Sequence, residues 1–162
     1  MEISKILEKM ITFSNANLHD IDHFIRVWTY AKTIGELENL DVTTQYILEV
    51  AAITHDIACP LCREKYGCAS GKHQEIEGVW LVKEFLSDSD LTSDQIDRIS
   101  YLVGHHHTLS NVKGKDYMIL IEADYIANAS ENGYEKNIIM NFIENTMWTE
   151  SGKKIAKAVF CI

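Results

Sequence analysis

Residues 41–60 read DVTTQYILEVAAITHDIACP, and this stretch decides the fold. Ile47, Val50, Ala51 and Ile53 recur at the spacing of a helix face, and Asp41 or Thr43 stands where an N-cap belongs. The apolar pattern ends at His55-Asp56, and Pro60 follows shortly after it. The reading is a core helix that delivers an imidazole and a carboxylate at its last turn.

The same periodicity extends outward in both directions. Ile3, Ile6, Leu7, Met10 and Ile11 form one stripe, and Ile21, Phe24, Ile25 and Trp28 begin a second helix that runs to about Leu37. After the His-Asp pair, residues 59–72 contain Pro60, Gly67, Ser70 and Gly71 and read as an irregular loop. Ile76 to Leu86 is a further helix. Thr92 with Gln95 has capping-box spacing and opens the next, which leads to His105. Tyr117 to about Ser130 and two shorter segments, 135–147 and 150–160, complete the chain. No stretch alternates with period two, so the fold class is all-α, a helical bundle.

Composition sets the outer limits. A chain of 162 residues, 46% hydrophobic and 24% charged, suits one soluble domain spanning 1–162. A net charge of -9 argues against a nucleic-acid polymer or an anionic membrane as partner. The N-terminal MEISKILEKMITF mixes charges rather than presenting a basic and then an apolar region, and no apolar run approaches a membrane span. A cytoplasmic location is the expectation, with Cys59, Cys62, Cys68 and Cys161 as thiols.

His23, His55, Asp56 and Asp124 offer imidazole and carboxylate ligands of the kind that suits iron, manganese, cobalt, nickel or zinc better than calcium or magnesium. His19 and His23 share a helix face, four residues apart. Adjacent helical residues point about 100° apart, so His55 and Asp56 meet one ion only from a helix end or a kinked turn, or else serve two ions. Asp124 lies above the apolar positions Leu120 and Ile121 and is expected to point inward, where a lone carboxylate needs a partner.

The string His19-Asp20-Ile21-Asp22-His23-Phe24-Ile25-Arg26-Val27 resembles the opening motif of the HD-domain superfamily of metal-dependent phosphohydrolases. Ile53-Thr54-His55-Asp56-Ile57 is similar to its His-Asp motif, and Glu122-Ala123-Asp124-Tyr125-Ile126 to its closing aspartate segment. The resemblance covers roughly residues 15–130 and implies an HD-type helical bundle, with His23, His55, Asp56 and Asp124 as metal ligands. It also implies that His73, and His105 or His106, join as ligands of a second ion, iron or manganese before cobalt, nickel or zinc. Three consecutive histidines cannot all face one centre, which leaves one of His105, His106 and His107 outside it.

The chemistry implied is attack of an activated water on a small phosphate ester such as a nucleotide, with Asp56 orienting the water. Arg26, Arg63 and Lys72 are the cationic side chains nearest in sequence to the ligand strings, and Arg26 and Lys72 are the candidates for holding phosphate oxygens. Some members of the superfamily hold two irons and activate dioxygen, so a di-iron oxygenase is the alternative. A third reading makes Cys59, Cys62 and Cys68, with His73 in C-x2-C-x5-C-x4-H spacing, a zinc knuckle or a metal and redox sensor. The preferred reading of these cysteines is packing. No extension follows the histidine run and no regulatory domain is evident, which argues against cyclic-dinucleotide hydrolysis and alarmone synthesis.

Overall fold

The computed structural model describes residues 1–162, and every regular element is a helix. In chain order these are α1 (Ile3–Phe13), α2 (Leu18–Leu37), α3 (Val42–Thr54), α4 (Cys59–Tyr66), α5 (Gly71–Phe85), α6 (Ser93–Val103), α7 (Lys115–Glu131), α8 (Lys136–Asn145) and α9 (Glu150–Phe160). The all-α expectation holds. Asp41 caps α3 by accepting from the backbone N–H groups of Thr43 and Thr44, and Thr92 with Gln95 forms a complete capping box on α6.

Helix α3 is the hub. Ile47 through Thr54 are all buried, and α3 packs against α1, α2, α6 and α7. Its amphipathicity has almost vanished because it is covered on all sides. Helices α2 and α7 lie against each other along much of their length, so α2, α3 and α7 bring three ligand-bearing segments together. Helices α8 and α9 close the C-terminal end, with α9 packed on α7. No helix is long and apolar enough to cross a membrane.

One local expectation is corrected. The stretch 59–72 is not an irregular loop throughout, because Cys59–Tyr66 forms α4. Pro60 sits in its first turn, where its missing N–H is no loss, and Gly67 ends it at φ 74°, a conformation glycine adopts without penalty. Breakers that look like loop punctuation are here the start and stop of a short helix.

Candidate metal centre

Residues 55–58 form a turn between α3 and α4, and this turn solves the problem posed by adjacent ligands. His55 and Asp56 both face inward from it, toward His23 on α2 and Asp124 on α7. His23 Nε2 lies 3.2 Å from His55 Nε2 and 3.1 Å from Asp124 Oδ1. His55 Nε2 is 3.4 Å from the same Asp124 oxygen. His106, just beyond α6, joins the cluster with its Nε2 3.4 Å from Asp56 Oδ1.

The outer ring nitrogens explain why the inner ones converge. His23 Nδ1 donates to Glu131 Oε2 at 2.9 Å, His55 Nδ1 to the Ala52 carbonyl at 2.8 Å, and His106 Nδ1 to the Val103 carbonyl at 2.8 Å. Carboxylates and carbonyls only accept, so each Nδ1 carries a proton and each ring turns its Nε2, the atom left to bind a metal, inward. The His106 Nε2 is buried and has no hydrogen-bond partner. Asn128 Nδ2 donates to Asp124 Oδ1 at 2.8 Å and fixes that carboxylate. Inward-turned ring nitrogens and anionic oxygens that converge on one point fit a divalent cation, which takes the place of any proton they share.

Charge in the cluster follows the same logic. Burial opposes a charge on His23, yet its bond to Asp124 and the nearby Asp56 and Glu131 hold its pKa up at about 9. Burial likewise pushes the carboxyls of Asp56 and Asp124 upward. The imidazoles of His55 and His106 for Asp56, and of His23 and His55 for Asp124, outweigh it and keep both below the usual carboxylate range.

Asp56 is the hinge of the arrangement. Its Oδ2 lies 3.5 Å from both His23 Nε2 and His55 Nε2, whereas its Oδ1 faces His106. Two groups can therefore hold an ion: His23, His55 and Asp56, joined by Asp124, and a second made of Asp56, His106 and His107.

The remaining sequence candidates fall elsewhere. His73 joins neither group, because its ring stacks on Tyr66 at 3.9 Å. Its neighbour Gln74 is the buried residue on that turn of α5, and Gln74 Oε1 meets His107 Nε2 at 3.0 Å. A one-residue step rotates a helical side chain by about 100°, which is enough to exchange the two. His105 is also displaced, stacked on Tyr101 at 4.1 Å with its Nδ1 on the Tyr101 carbonyl. Arg26 reaches Glu131 at 3.5 Å, Arg63 is paired with Asp20, and Lys72 is exposed without an ion pair. No cysteine lies in either group, and Cys59 and Cys62 are buried free thiols, so the knuckle spacing does not close on a common centre.

Three contributors escaped the sequence reading: Glu131, Asn128 and Gln74. Asp124, Asn128 and Glu131 are spaced i, i+4, i+7, one face of α7, so the signal was present once Asp124 was fixed. His107 gains its place through Gly71, where a Cβ would come within 2.8 Å of the imidazole.

Comparison with known proteins bears on the family and the fold. The HD domain family model matches residues 20–129. A solved structure, that of a predicted HD superfamily hydrolase from an uncultured Thermotogales bacterium, shares the fold with a TM-score of 0.70. That likeness covers 98% of this chain and 84% of the other, at 23% identity. No curated protein matches the sequence. With the family match spanning most of the chain and the motif residues gathered around one centre, the chain belongs to the HD-domain family.

Proposed function

We propose that this protein hydrolyses a small phosphate monoester with divalent metal held by His23, His55, Asp56 and Asp124, and a second ion between Asp56, His106 and His107. One observation carries the reading: three imidazoles anchored outward through Nδ1 turn their Nε2 atoms onto two carboxylates. Such a centre, when loaded, supplies Lewis acidity toward a phosphoryl oxygen and lowers the pKa of water.

The chain's own residues do the rest. Asp56 stays ionised and has the most open side chain of the inner carboxylates, so it orients the attacking water. The water oxygen bonds to phosphorus, the ester oxygen departs with a proton as an alcohol, and inorganic phosphate is released. Glu131 holds His23 in the tautomer that presents Nε2. Arg26 and Arg63 are held by Glu131 and Asp20 and keep further guanidinium donors free for a phosphate oxygen.

The test pairs elemental mass spectrometry on untagged protein with phosphatase and oxygen-uptake assays. The expected result is two equivalents of manganese or iron per chain and phosphate release without oxygen consumption. Oxygen uptake without phosphate release would overturn the hydrolytic reading in favour of an oxygenase.

A further inference from the structure

The metal centre borders two openings of opposite character. One cleft of about 170 Å³ is lined only by polar side chains, among them His19, Asp20, Asp56 and Glu131. The other is a cavity of about 200 Å³ whose surface includes His106 and Asp124 from the centre itself. Its remaining walls come mainly from Leu109, Tyr125, Tyr134 and Phe142. Asn128 lines both. The largest cavity in the molecule, about 470 Å³ between Lys5, Lys9, Phe13 and Phe85, contains none of the proposed ligands.

The 200 Å³ cavity states what it accepts. No lysine or arginine lines it, so away from the proposed ions, held in part by His106 and His107 on its rim, a second phosphate or a carboxylate would meet no cationic side chain. Tyr125 and Phe142 stack face to face at 3.5 Å and 2°, and Tyr134 stands 6.0 Å from Tyr125, so the wall is built of flat aromatic faces. The Tyr125 hydroxyl is buried without a hydrogen-bond partner. The volume is well below the roughly 300 Å³ or more of pockets for drug-sized ligands, so it holds about one ring.

Resting on the phosphohydrolase reading, we infer that this cavity seats the non-phosphate part of the substrate, and that this part is a single flat, uncharged ring. Polyol phosphates and bisphosphates are disfavoured, because their hydroxyls or charges would find few partners on those walls.

The experiment uses the full chain loaded with manganese and compares benzyl phosphate with glycerol 3-phosphate. Both are primary alkyl esters, so leaving-group chemistry is alike and only the cavity distinguishes them. The expected kcat/KM favours benzyl phosphate by about tenfold or more, and Tyr134→Ala, at an exposed position, shrinks that ratio toward one. Equal rates for both esters in wild type would overturn the ring site and leave the phosphohydrolase reading standing. Failure to hydrolyse any ester with manganese, iron or cobalt would instead overturn that reading. In that event binding of benzyl alcohol, followed by ligand-observed NMR, decides the ring site alone: binding lost in Tyr134→Ala supports it, and no binding overturns it.

Discussion

Helix α7 carries two buried carboxylates two residues apart, Glu122 and Asp124, and they live opposite lives. Glu122 accepts from the backbone N–H groups of Trp148 and Thr149, at 2.6 and 2.8 Å, and from the Thr149 hydroxyl. All its bonds come from the segment that leads into α9, and its task is to hold the C-terminal helices on the bundle. Asp124 accepts from the Asn128 amide, and its remaining neighbours are the inward-turned Nε2 atoms of His23 and His55. A buried carboxylate surrounded by donors is architecture. One that faces ring nitrogens able to bind a metal is placed for a cation.

Substitution should separate the two. Asp124→Ala is expected to abolish metal retention and cut phosphatase turnover by about 10³-fold or more, with circular dichroism unchanged. Full metal occupancy in that variant would break the contrast at its centre. Glu122→Ala should do the reverse, leaving metal stoichiometry intact. Stranding the Trp148 and Thr149 donors should cost about 3 kcal/mol, or a fall in Tm of about 10 °C for a chain of this size. If the Glu122 variant lost its metal while the Asp124 variant lost its fold, the assignment would be inverted.

A smaller effect sharpens the boundary between them. Glu131→Gln keeps the shape of the side chain but weakens its hold on the His23 ring, and should lower metal affinity by about 10–100-fold at unchanged Tm. Isothermal titration reads this directly, and an unchanged affinity would reduce Glu131 to a partner of Arg26.

Proton linkage is subtler still. The His23 pKa, raised to about 9, means that without metal the ring is protonated at pH 7. Its contribution to stability is complete below its ordinary value of 6.5 and is lost as pH rises through about 9. A metal must displace that proton, so uptake at pH 7 should acidify a weakly buffered solution, and affinity should climb between pH 6.5 and 9. A pH-independent affinity over that window would exclude His23 as a ligand. The least effect belongs to His105→Ala, which should leave metal stoichiometry unchanged, whereas His106→Ala should remove the second equivalent.

Much of this was legible in the sequence, because helical periodicity and caps are local. Asp41 and Thr92 announced their helices by residue type alone, and the α3 face led straight to His55-Asp56. What escaped depends on rotation and on tertiary contact. His73 and Gln74 differ by one step around α5, and only the packing of α5 on the histidine run decides that Gln74 faces His107. Among three consecutive histidines, stacking of His105 on Tyr101 sends the next residue inward, and that ring-on-ring choice has no signature in spacing. The Glu131–His23 bond spans 108 positions of sequence, beyond the reach of any local pattern.

The wall built by Tyr125 and Phe142 has a divided origin. Tyr125 belongs to the stretch that matches the family model, whereas Phe142 and Tyr134 lie beyond residue 129, in the helical tail that follows it. Every proposed metal ligand therefore comes from one part of the gene product, and two of the three aromatic rings on the lining come from another. On the proposed reading, catalysis and preference are separable: changes within residues 132–145 are expected to alter which alcohol is accepted while the metal ligands and Glu131 stay in place.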